Sequence, residues 1–249
     1  MGFGVFGESR GKMSRAPGAG VTFGLSGGKK SAPPPPSSVS YGGAKAHANQ
    51  VGGATLTIPL VVPSVVHSFL FATVGGWDGG APGTPAVTYH GVPMTLIKDQ
   101  LGGDASMRVC LYGLANPIVG AGNAVYTFAG AAWEVAATVA LYQGVKQVGS
   151  IGTPVGANAP NQNNLSVTIT GANVHNLVVG ALTHWVAATA VAPVGGTILR
   201  DSDSCPPGND ETVYSGELAV NLAAQAFGFS WTAGATGSVA AAAVELLVG

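Results

Sequence analysis

From Lys45 to Asp78, and again from Lys146 to Arg200, the chain carries no Asp, Glu, Lys or Arg between those end residues. Intervals so poor in charge must be buried, either in a core or in a bilayer, and their punctuation decides which. The first is cut by Pro59 and Pro63 and holds Ser64, His67 and Ser68, while the second is rich in Asn, Gln, Thr and Pro. Neither offers the roughly twenty continuous apolar residues of a spanning helix, so no membrane span is expected. With 39 Gly and 16 Pro spread through 249 residues and no sustained helical period, an all-β, turn-rich fold is the expectation.

Strand signals then come at short intervals. In Thr55 to Val62, Leu56, Ile58, Leu60 and Val62 share one face, with Thr55 and Thr57 on the other. Val65 to Val74 reads as a more fully apolar strand. Ala86 to Ala115 reads as a meander: two short runs folded about Tyr89-His90-Gly91-Val92-Pro93, a turn at Gly102 to Asp104, and a longer run to Leu114. Ala124 to Phe128 and Trp133 to Tyr142 follow; alternation of Trp133, Val135, Val139 and Leu141 against Glu134 and Thr138 favours a strand over a helix. Leu165, Val167 and Ile169 face inward, Asn176 to Thr183 is a strand, Phe227, Phe229 and Trp231 share a face, and Val244, Leu246 and Val248 align. Gly152 to Asn164 reads as a loop, Ala187 to Gly196 as a loose segment, Glu217 to Ala223 as ambiguous, and Arg200 to Glu211 as the most polar loop. About ten strands without a helix predict an antiparallel β-sandwich, jelly-roll-like, with the last strand pairing near the first.

Residues 1–45 are a different material from residues 46–249. They are glycine-broken, end near a Pro33 to Pro36 polyproline spacer, and are expected to form an extended docking arm. Over residues 1–50, Arg10, Lys12, Arg15, Lys29, Lys30 and Lys45 against Glu8 give +5; residues 51–249 give four positives against ten acids, or −6, and the two sum to −1. A basic arm on an acidic body points to protein partners. Phe3, Phe6, Phe23 and Tyr41 are its candidate anchors, with Arg10, Lys12, Arg15, Lys29 and Lys30 as candidate partner-binding charges. A body at −6 is unsuited to nucleic acid.

The catalytic motifs that occur as text lack their structural setting. Gly2 to Gly7 spells GxGxxG and Gly24 to Gly28 spells GxSxG, yet both lie in the arm, without the strand and helix their chemistry needs. His47, His67, His90, His175 and His184 show no metal-ligand spacing, and Asp201, Asp203, Asp210 and Glu211 lack the register of a calcium loop, so a solvated acidic loop is expected there. No catalytic, cofactor-binding or metal-binding residue is assigned. Trp133 and Trp231 fit core positions, which leaves Trp77 and Trp185, both next to loops, as candidate glycan-binding residues. Spacing alone leaves a Cys110–Cys205 bridge open, and two free thiols of a protein made in a reducing cytoplasm are the preferred reading; the first thirty residues lack the apolar core of a signal peptide.

Taken in order, VTYHGVPMTLIKD, MRVCLYGLANPIVGAGNAVYTFAG, VALYQGVKQVGSIGTPVG and NLVVGALTH resemble a Gly/Ala-rich β-sandwich module of bacteriophage virion structural proteins and bacterial surface proteins. That module carries a VTYGG-x-x-LT hairpin, a strand ending in L-x-N-P and a GV-x-x-x-x-P-x-G turn; here His90 replaces a hairpin glycine and Cys110 stands where an acid is common. The resemblance spans residues 55–249. It implies a non-enzymatic binding or assembly role, and the first expectation is a structural protein of a virion made in the host cytoplasm, in contact with copies of itself and other virion proteins. The alternative is a carbohydrate-binding or adhesin domain that recognises surface glycans.

Overall fold

Alternation of side chains makes strands here almost without interruption. A computed structural model of the chain describes residues 38–77, 83–185, 188–205, 211–233 and 237–249. They lie in the compact unit Pro35–Gly249. The strands are β1 (Ser40–Val62), β2 (Phe69–Trp77), β3 (Ala86–Tyr89), β4 (Val92–Pro93), β5 (Thr95–Leu101), β6 (Met107–Ala115), β7 (Gly120–Gln143), β8 (Val155–Gln162), β9 (Asn164–Thr170), β10 (Leu177–Trp185), β11 (Ala188–Val194), β12 (Ile198–Ser204), β13 (Glu211–Ala219), β14 (Ala224–Ala233) and β15 (Gly237–Leu246). The described residues contain no helix, and the named strands pair antiparallel in three sheets. The first runs β4-β3-β7-β2-β6-β5 with β1 along β7, the second β12-β13-β10-β15-β8, and the third β11-β14-β9.

The first sheet is nearly closed on itself by a bend in its longest ribbon. β1 pairs with β7 from Ser40↔Gln143 to Val62↔Gly120, but between Gly53↔Ala132 and Thr55↔Thr127 the register slips. Two steps along β1 there face five along β7, so β7 bulges and the ribbon turns, helped by Gly52 at φ 73°. Leu56, Ile58, Leu60, Ala124 and Tyr126 from one half of the ribbon then share a core with Val135, Ala137, Val139 and Leu141 from the other. Tyr126 Oη donates to the carbonyl of Thr138, 3.1 Å away in the same strand. The hairpin β3–β4 closes through His90 at φ 50° and Gly91 at φ 76°, the two positive angles of a type I′ turn.

On its other face this sheet presents Phe71, Val109, Leu111 and Tyr142 to Val179, Ala181, Ala242 and Val244 of the second sheet. The second sheet is covered on its far side too, where Val178, Leu182, Ala241 and Ala243 meet Val167, Phe227, Phe229 and Trp231 of the third. β15 is buried at every position, and its run of Ala240 to Ala243 supplies thin side chains to both faces alternately. Glycines complete the fit: a Cβ at Gly180 would run into the Phe227 ring and the backbone of Ala242 and Ala243, and one at Gly216 into the Phe229 ring. Each phenylalanine thus seats in a hole that only glycine leaves.

Several expectations are corrected. Gly152 to Asn164 holds β8 rather than a loop, Ala187 to Gly196 holds β11, and Arg200 to Ser204 belongs to β12. The two strands expected at Ala124 to Phe128 and Trp133 to Tyr142 are one, β7. The last strand, β15, sits between β10 and β8 and does not pair with β1. Its apolar run suits a position covered on both faces, whereas β1 lies along the edge of another sheet. The meander is divided, since β3 pairs with β7 while β5 and β6 join β2 beyond it.

One stretch of sheet edge has a definite polarity. The Asn123 carbonyl accepts the amide of His90 at 3.3 Å, so Asn123 turns its backbone polar groups toward the β3–β4 hairpin. Its partner across the ladder, Pro59, therefore directs its own groups away from β7, to a side where no described strand pairs with Thr55–Val62. Pro59 places its missing N–H on that open edge and costs the β1–β7 ladder nothing.

Gly180→Ala should destabilise the body by about 1–3 kcal/mol, the scale of overpacking a close-packed core. At Gly130 an added Cβ meets nothing within 4 Å. Gly130→Ala is accordingly the near-neutral control, and urea unfolding of both variants checks the pair.

Candidate functional site

Acidic side chains were the natural candidates for chemistry, and the fold turns most of them inward. β1 and β12 lie side by side as edges of the first and second sheets, joined by side chains. Asp201 Oδ1 accepts from His47 Nδ1 at 3.0 Å and lies 3.4 Å from Lys45 Nζ, and Asp203 Oδ1 accepts from Asn49 Nδ2 at 2.9 Å. Arg200 pairs with Glu217 and places its guanidinium 4.4 Å from the centre of the Tyr41 ring. Asp201 and Glu217 are both buried. A solvated acidic loop was the expectation; instead these acids form a seam that closes one side between two sheets. The cause is β12 itself, which holds Asp201 and Asp203 over β1 rather than in water.

A second group lies inside the interface between those sheets. Glu211 is fully buried, with the Thr183 hydroxyl donating to Oε1, while the Glu211 amide donates to Glu134 Oε2 at 3.2 Å. Glu211 Oε2 has no partner. Burial, with the neighbouring Glu134 charge adding to it, pushes the Glu211 carboxyl well above the ordinary carboxylate range. Gly75 of β2 leaves the space these groups occupy, since a Cβ there would collide with Thr183 Oγ1 and Glu211 Oε1. Cys205 packs beside them, its thiol 3.5 Å from the Val135 carbonyl, and burial pushes its pKa up to about 12. Two carboxyls and a thiol could in principle do acid–base or nucleophilic chemistry. These three face packed β strands instead of a cleft, and a thiol held protonated is no nucleophile. Cys110, also free, is buried in the core of the first sheet.

The remaining acids are equally committed. Glu245 is buried and accepts from the Ala172 amide and the Asn176 side chain, both at 2.8 Å, and Asp99 pairs with Arg108. Among the described acidic residues Asp104 alone is exposed. No three His, Cys, Asp or Glu side chains among the described residues converge in a way that could hold a metal ion. No described helix is long and apolar enough to cross a membrane.

Phe3, Phe6, Arg10, Lys12, Arg15, Phe23, Lys29 and Lys30 lie outside the described residues, as do both glycine motifs of the arm. Tyr41, grouped with them by sequence, belongs to β1, where it stacks edge-on against Tyr142 at 6.3 Å. The backbone of Trp77 ends β2, its side chain lying outside the description, and Trp185 ends β10 at 42% exposure. These two tryptophans stand in different sheets. Trp231 is in the core as expected, stacked on His184 at 4.3 Å between ring centres. The β1–β12 seam was not foreseen; alternation of Lys45, His47 and Asn49 in sequence is the one signal that could have shown it. Compared with known proteins, the chain matches no family model, no curated protein and no solved structure.

Unfolding returns Glu211 to its ordinary pKa of 4.5. Its contribution to stability is therefore complete below that pH and is lost as pH rises through the folded-state value. Glu211→Gln should raise stability at pH 7, by about 1.4 kcal/mol for each unit by which the folded-state pKa exceeds the ordinary one. It should also flatten the decline in stability above pH 4.5, as thermal melts from pH 4 to pH 8 would record.

Proposed function

We propose that this chain is a structural protein of a bacteriophage virion, a capsid decoration, minor capsid, spike-base or tail component, and not an enzyme. One observation carries the reading: among the described acidic residues Asp104 alone is exposed, and most of the others hold the sheets of the body together. Such a surface does little to keep free copies apart in solution and suits one held against other subunits. We read the stacked sheets as a β-sandwich of the Gly/Ala-rich kind that the hairpin Val87-Thr88-Tyr89-His90-Gly91 resembles. In this reading the body packs against copies of itself and other virion proteins, while the arm orders on a neighbour and offsets its entropy cost through buried Phe anchors. The second reading, a glycan-binding or adhesin domain, rests on the exposure of Trp185 at the end of β10.

Purified particles and secreted material from the source culture, quantified by mass spectrometry, test the first reading. Many copies per particle are expected; absence from particles would overturn it. A chain lacking residues 2–37 should keep the melting temperature of the full chain, because β1 begins at Ser40, and should fail to enter particles. Under the second reading the full chain shows saturable glycan binding, and Trp185→Ala abolishes it.

A further inference from the structure

The interface between the first and second sheets is closed differently along its side and at its end. Along the side cations answer the acids, Lys45 and His47 reaching Asp201 and Arg200 reaching Glu217. At the end the strands run out: Trp77 closes β2, Trp185 closes β10, and Glu211 opens β13 as the ladder partner of Trp185. One chain of bonds crosses from sheet to sheet there. The Thr183 hydroxyl donates to Glu211 Oε1, and the Glu211 amide donates to Glu134 Oε2, 3.2 Å away on the first sheet. The Glu211 carbonyl accepts from the Cys205 amide at 2.9 Å, and the Cys205 thiol rests on first-sheet backbone, 3.5 Å from the Val135 carbonyl and 3.7 Å from that of Gln50. The thiol is thereby shut in, Cys205 being 6% exposed.

Among the described residues nothing packed against Glu211 supplies a countercharge. β2 brings Gly75, where even a Cβ would collide with Glu211 Oε1; β10 brings the Thr183 hydroxyl; β7 brings Glu134, a second carboxyl. The end of β12 brings Asp203 and Cys205, and the Asp203, Glu134 and Glu211 charges all bear on that thiol. Glu134 is the one described charge that bears on Glu211, and Glu211 Oε2 is buried without a partner. Ionisation of Glu211 therefore sets its charge against that of Glu134 in a packed interface, where repulsion is stronger than in water.

We propose that Glu211 is a proton-held latch between the first and second sheets: with its proton in place the strand ends stay closed over Cys205, and loss of the proton shifts them toward an open form in which the thiol meets solvent. The opening is local, because strand ends part at lower cost than a core. Deeper in the same interface Phe71, Val109 and Leu111 meet Val179 and Ala242, none of which titrates. Burial holds the Glu211 carboxyl above its ordinary range, so the latch is closed in acid and is released as pH rises from the ordinary value toward the folded-state one. The latch belongs to the body alone and does not rest on the virion reading.

The two free cysteines give the experiment its own control. The full chain under native conditions is treated with a dithiodipyridine from pH 4 to pH 9, and the rates at Cys205 and Cys110 are read by peptide mass spectrometry. Each rate is divided by that of the urea-unfolded chain at the same pH, which cancels the ionisation of the thiol itself. Cys110 lies in the core of the first sheet and reports unfolding of the whole body. Cys205 should react at least about tenfold faster than Cys110, as a local opening requires. Its corrected rate should climb by up to about tenfold per pH unit above the ordinary carboxyl range and level off at the folded-state value, one proton leaving per opening. Glu211→Gln should keep Cys205 slow and remove the climb, and Glu134→Gln should end the climb at a lower pH. Reaction of Cys205 no faster than Cys110, a rate flat with pH in the unaltered chain, or an undiminished climb in Glu211→Gln would each overturn the proposal.

Discussion

The second sheet is covered on both faces, and a sheet so placed can carry few side chains that need water. β10, β13 and β15 are buried along nearly all their length; β10 and β15 meet the constraint largely with Ala, Gly and Val, while β13 carries Glu211 and Glu217, which need partners. Thin side chains let neighbouring sheets approach, and glycines opposite Phe227 and Phe229 let the rings close the remaining space. The low charge of the sequence follows from this arrangement, because a stack of sheets has proportionally little surface to solvate.

Carboxylates inside such a stack have to be matched one by one, since an unmatched buried charge costs several kcal/mol. Asp201 has Lys45 and His47, Glu217 has Arg200, and Glu245 has a main-chain and a side-chain amide. Glu211 has only the Thr183 hydroxyl, and burial raises its carboxyl well above the ordinary carboxylate range. The same matching turns most of the described acids away from solvent, Asp104 being the exposed one among them. A net charge counted from sequence measures what a protein contains, whereas docking depends on what it shows.

Strict alternation made parts of the fold legible. Leu56 to Val62, Leu165 to Ile169 and Phe227 to Trp231 face inward as their period requires. What sequence missed was held by distant partners. Asp201-Ser202-Asp203-Ser204 consists of turn-forming residues, yet it is a strand because β13 pairs with it and β1 supplies the cations. Ser40 to Lys45 looked like the end of a glycine-rich arm, and becomes strand through β7, about a hundred residues along the chain. For the candidate site, residue types were visible but not their neighbours: Tyr41 read as an anchor for another protein and is a platform for Arg200 of its own.

Pro59 bears on what happens when many copies crowd together. A strand edge with a full set of donors and acceptors is a template, and at high local concentration it invites strand after strand to add without limit. An imino acid at the middle of that edge leaves one rung of any incoming ladder unmade. Growth by sheet extension is thereby discouraged at the open edge of β1, and association is left to faces and loops, whose geometry can close on a finite number of copies.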